Sequence, residues 1–99
     1  MPARIPIDQQ SVGDFCRRWD VVELGLFGSV LRDDFRPDSD VDVFVTFQSD
    51  ARPSLFDLAA MQDELSVIFG RRVDLGTKRS LKPSIKDDII ASAEVLFAA

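Results

Sequence analysis

Gly28-Ser29 and Asp40-Val41-Asp42 stand ten residues apart in this chain. Together they hold residue types that handle phosphate. Asp40 and Asp42 lie two apart at the entry of an apolar run, and side chains two apart on a strand point the same way. Two carboxylates so placed can offer oxygens to one hard cation such as Mg²⁺. Gly28 lets the backbone approach a ligand with no side chain in the way. Ser29 would open a helical turn whose free N–H groups take phosphate oxygens. For the two stretches to share a pocket, the strand that ends at Gly28 must run antiparallel to the strand that starts at Val41. Asp74 adds a third carboxylate if its strand lies next to that of Asp42. Carboxylates among valines and phenylalanines are costly to bury unless they are paired or metal-bound.

The elements that must position these residues follow from periodicity. Asp8 is an N-cap for a helix with Val12, Phe15, Cys16 and Trp19 on one face. Val21 to Gly28 reads as a strand ending at its glycine. Ser29 to Arg32 has room for one helical turn, and Ser39 caps the loop that follows. Val41 to Phe47 is apolar at nearly every position, which predicts burial on both faces. Ser54 and Asp57 resemble a capping box, opening a helix with Leu55, Leu58, Met61, Leu65 and Ile68 and a stop at Gly70. Arg72 to Leu75 is a short strand, parallel to the previous one through a right-handed crossover. Arg71, Arg72, Lys78, Arg79 and Lys82 form a solvated basic rim. Pro83 opens a last helix with Ile85, Ile89 and Ile90, and Glu94 to Phe97 is a fourth strand or a frayed helix end. The fold class is therefore α/β: a small mixed sheet of three or four strands with helices packed on it, in one domain over residues 1–99.

Composition narrows the chemistry. The chain has 99 residues, a net charge of −5, no histidine and one cysteine. Without histidine there is no Ser-His-Asp triad and no His-ligated zinc. A lone Cys16 on an apolar helix face forms no internal disulfide and is read as structural, which fits a reducing compartment. The acidic balance disfavours bulk attraction to nucleic acid. No apolar run approaches a membrane span and no leader pattern is seen, so the expectation is a cytoplasmic protein with no membrane partner.

These residues resemble the minimal nucleotidyltransferases (MNT proteins) of the DNA polymerase β-like superfamily. The shared pattern is Gly-Ser, about ten residues, Asp-x-Asp and a later strand Asp, here Gly28-Ser29, Asp40-Val41-Asp42 and Asp74. Leu26-Phe27, Arg32 and Asp38-Ser39 also match. The resemblance implies a polymerase β-like nucleotidyltransferase fold and a two-metal Mg²⁺ site on Asp40, Asp42 and Asp74, which serve as catalytic residues. It implies that ATP, the substrate, is cradled by Gly28, Ser29 and Arg32. It further implies transfer of AMP to a tyrosine of a HEPN-domain toxin, an antitoxin role in a hetero-oligomer, and no direct nucleic-acid binding. Two departures stand out: Asp33 where glycine is usual and Leu31 where a small residue is usual, both expected to crowd the triphosphate. They keep open a second reading, a catalytically inactive antitoxin that neutralises its partner by binding alone. A transferase for a small molecule such as an aminoglycoside would need an extra domain.

Overall fold

The computed structural model describes residues 5–31, 36 and 39–99. Among these residues three α-helices and four strands run in the order α1 (Gln9–Arg18), β1 (Val21–Phe27), β2 (Val41–Phe47), α2 (Leu55–Phe69), β3 (Val73–Thr77), α3 (Pro83–Ser92) and β4 (Glu94–Ala98). The sheet order is β3-β2-β1-β4. β1 pairs antiparallel with β2 and β4, and β2 pairs parallel with β3 through α2. The segment ending the chain is thus a strand, fixed by pairing against β1.

Local chemistry sets the helix ends. Asp8 accepts the Ser11 N–H at 3.3 Å and begins α1. Ser54 and Asp57 form a reciprocal capping box at 3.0 and 2.9 Å. Each such cap is worth about 1 kcal/mol. Gly70 closes α2 in the left-handed conformation at φ 67°, which a side chain would disfavour.

One face of the sheet holds the core. Leu24, Leu26, Val41, Val43 and Val45 are buried there against Val12, Phe15 and Cys16 of α1 and Met61, Leu65 and Phe69 of α2. Cys16 is enclosed, and burial pushes its thiol up to about 12, so it stays protonated and packs as a small apolar group. β2 departs from the expected burial on both faces: Phe44 is buried, but Asp42 and Thr46 on its side are half-buried. Leu55 departs as well. It is 83% exposed, so the inward face of α2 starts at Leu58, a turn later than the periodicity suggests.

Candidate active site

The second face of the sheet is arranged in cross-strand rows. Asp42 of β2 is in register with Phe27 of β1 and Asp74 of β3. Phe44 is in register with Gly25 and Gly76. Glu23 is in register with Thr46. Side chains alternate along strands, so Asp42 and Asp74 lie on this face, opposite Val41, Val43 and Val73.

β1 ends at Phe27, and Gly28 follows with φ +78°, beginning a 3₁₀ turn over Gly28–Leu31. A Cβ built on Gly28 would stand 2.4 Å from Asp42 Oδ2. The turn therefore needs glycine twice, for its backbone and for the carboxylate lying against it. Ser29 is half-buried beside it. The antiparallel pairing demanded by a shared pocket is present, and it brings Gly28-Ser29 next to Asp42.

Asp40 is exposed and immediately precedes β2, whose first N–H, from Val41, donates to the Arg72 carbonyl at 2.9 Å. Asp74 is exposed on β3. Among the described residues, no group of three histidine, cysteine or acidic side chains stands close enough to hold a metal ion. Arg32, Asp33 and Asp38 lie outside the described residues. Leu31, expected to crowd the triphosphate, is 5% exposed and belongs to the core cluster.

The loop before Asp40 is tied at two points. Arg36 N–H donates to Ser39 Oγ at 3.1 Å, and Ser39 N–H donates to the Arg36 carbonyl at 3.0 Å. Arg71 Nη1 donates to that same carbonyl at 3.1 Å. Ser39 is a loop cap, as its residue type suggests. Arg71 acts as a tether, a role its place in a basic cluster did not reveal.

Lys78 also leaves the solvated rim. Its Nζ lies 2.8 Å from Glu23 Oε1 and 5.9 Å from the centre of the Phe44 ring. Both partners of the ion pair are largely covered. Phe44 lies so close to Gly25 that a Cβ there would be 2.5 Å from the ring. Its ring stands between the Asp42–Asp74 row and the Glu23–Lys78 pair, and 6.1 Å from the Phe27 ring.

Comparison with known proteins bears on the family and the fold. A family model described as a nucleotidyltransferase domain matches residues 9–96. A curated relative from Thermococcus cleftensis, named protein adenylyltransferase MntA, is 40% identical over 73 residues, covering 74% of this chain and 72% of that protein. A structure solved as a candidate minimal nucleotidyltransferase is 32% identical with a TM-score of 0.71, covering 87% of this chain and 86% of that one. The fold also matches a crystal structure of a toxin–antitoxin complex with AMP-PNP, at 17% identity and a TM-score of 0.74 over 94% of this chain and 75% of that one. With Gly-Ser at a strand exit beside the Asp42–Asp74 row and a match over nearly its whole length, the chain belongs to the nucleotidyltransferase domain family, among its minimal, polymerase β-like members.

Proposed function

We propose that this nucleotidyltransferase moves AMP from ATP to a tyrosine hydroxyl of a partner HEPN-domain toxin and so acts as its antitoxin. The observation that carries the reading is the contact between Gly28 and Asp42, with Asp74 in register beside it. It sets a phosphate-binding turn against carboxylates on one sheet face. The name of the Thermococcus relative and the toxin–antitoxin neighbours support the acceptor class. AMP-PNP in one of those neighbours supports ATP as donor.

In ligand chemistry the donor set suits Mg²⁺, although among the described residues the three carboxylates do not close into one cluster. Asp40, Asp42 and Asp74 offer only hard oxygen ligands at the N-terminal ends of β2 and β3, the preference of that ion. When bound, Mg²⁺ neutralises triphosphate charge and makes an acceptor hydroxyl more acidic. The chain's own residues do the rest. Gly28 and Ser29 N–H groups and the Ser29 hydroxyl hold the β- and γ-phosphates. Asp74, the most accessible carboxylate of the row, takes the acceptor proton. The acceptor oxygen bonds to the α-phosphorus as the bond from that phosphorus to the oxygen bridging to the β-phosphate breaks, and pyrophosphate leaves with that oxygen and the electron pair.

The test uses any HEPN protein found encoded beside this chain, with ATP and Mg²⁺ and the mass of the partner as readout. The parent should add AMP. Asp74→Asn should bind the partner but transfer at least ~10²-fold more slowly, the scale of a lost general base. Neutralisation without any added AMP would replace this reading with that of a binding-only antitoxin.

A further inference from the structure

A cleft of about 730 Å³ opens at the carboxyl ends of β2 and β3, away from the carboxylates. Parallel strands of α/β sheets present their carboxyl ends to ligands, and this cleft is built that way. Phe47 and Leu58 give it an apolar wall, and Gln48 and Ser80 give it hydrogen-bonding groups. Its charged lining is cationic, Arg52 and Lys78, although the chain carries a net charge of −5. Lys78 is balanced by Glu23. Arg52 Nη1 donates only to the carbonyls of Ser49 and Ala51, at 2.9 Å each. Among the described residues no carboxylate meets it. Just beyond Pro53, which lines the cleft, Leu55 and Phe56 are 83% and 87% exposed. Exposed apolar groups beside a charged crevice mark a surface for association.

The cleft and the carboxylates are connected by β2. From Asp42 to Thr46, which lines the cleft, the strand covers about 13 Å at ~3.3 Å per residue. Four residues of extended peptide span the same distance.

We propose that this cleft docks the protein segment that carries the acceptor hydroxyl, taking from it a carboxylate onto Arg52 and an apolar side chain against Phe47 and Leu58. The inference rests on the adenylyl-transfer reading and adds the sequence chemistry of the acceptor. The segment holds an acidic residue and an apolar neighbour about four residues from its tyrosine. Among the described residues one guanidinium of this crevice is unbalanced, which suits a peptide strand with one carboxylate better than a polyanion, which would need several cations.

The probe is a fluorescein-labelled dodecapeptide with one tyrosine and, four residues away, Glu next to Leu. Its control has Lys for Glu. Anisotropy should show the acidic peptide binding the parent at least ~10-fold more tightly than the control, within the range of an interfacial charge pair. Arg52→Glu should reverse that preference. Amide shifts in the ¹⁵N spectrum should cluster at Gln48, Ser49, Thr77 and Ser80. Equal binding of both peptides, no measurable binding at millimolar peptide, a preference untouched by Arg52→Glu, or shifts elsewhere would overturn the proposal. So would a mixed-sequence DNA dodecamer that competes as well as the acidic peptide. AMP transfer is read separately. Peptide seated in the cleft with no nucleotide added to any acceptor, partner included, sinks the transfer reading. Transfer that proceeds equally on both peptides sinks the docking cleft and leaves that reading standing.

Discussion

On one face of the sheet, Leu26, Val43 and Val45 meet α1 and α2 among apolar neighbours only, and no polar side chain is buried among the described residues. On the other face, the same strands present Asp42, Phe44, Thr46, Glu23 and Asp74, with Lys78 folded over Phe44. Adjacent residues of one strand thus answer to different demands. Val43 contributes by leaving water, at roughly 1.5–3 kcal/mol for a full side chain. Asp42 contributes nothing comparable to the core and is held where its oxygens can act. Stability and chemistry should therefore be separable by single substitutions one pleat apart.

The widest separation is expected between Asp42→Asn and Leu26→Ala. Asp42→Asn should cut AMP transfer to the partner by at least ~10³-fold, in the range seen when transition-state charge loses its stabiliser, while its melting temperature stays near that of the parent. Leu26, fully buried, should show the opposite. Its replacement by alanine should cost about 2–5 kcal/mol, read by urea denaturation, with specific transfer activity retained well below the transition. If Leu26→Ala loses activity while still folded, the two faces are coupled and the comparison breaks.

Gly28→Ala tests where the faces meet. A Cβ there would collide with Asp42 Oδ2 at 2.4 Å, on a residue with φ +78°. The backbone penalty is about 1–2 kcal/mol, and the carboxylate must also move. Transfer should fall by ~10² or more, as expected when a reacting group shifts by an ångström. Gly25→Ala sharpens the point one row away. Its Cβ would meet Phe44 at 2.5 Å, and forcing the ring aside should cost about 1–3 kcal/mol. The displaced ring adjoins the Asp42 row, so a modest rise in KM for ATP should accompany the loss of stability. An unchanged melting temperature would show that Phe44 has room to yield.

What could be read in the sequence was local or forced by chemistry. The Asp8 cap, the Ser54-Asp57 box and the Gly70 stop are decided within a few residues of themselves. The antiparallel pairing of β1 with β2 followed from requiring Gly28 to reach Asp42. The missing parts depend on residues far apart in sequence. Lys78 meets Glu23 across 55 positions and Arg71 meets Arg36 across 35, and a cluster of basic residues carries no sign of which one turns inward. Leu31 lies in the core at the end of the 3₁₀ turn, which one-dimensional spacing does not reveal. Leu55 fits the helical period yet stays exposed, since period alone does not say where the covering surface stops.

The smallest expected effect lies on the helix-covered side, at its polar margin, and it is a pH effect. Glu64 accepts Trp19 Nε1–H at 3.0 Å and pairs with Arg18. Partial burial pushes its carboxyl up, but the hydrogen bonds from Arg18 and Trp19 and the Arg18 charge outweigh it, holding the group below its ordinary value of 4.5. A carboxylate held low in the folded chain stabilises that chain above its unfolded pKa, and the contribution is lost as pH falls through the folded value. Glu64 should thus support the fold at neutral pH and progressively less below about 4.5. The pair is partly solvated, so the gain is at most about 1 kcal/mol. Urea unfolding of the parent and Glu64→Gln should differ at pH 7 and converge toward pH 3, with salt shrinking the difference at pH 7. AMP transfer at pH 7 should be the same in both, because Glu64 sits on α2 and the proposed site lies on the other face. A constant gap between the two proteins from pH 7 to pH 3 would mean that Glu64 acts through packing alone.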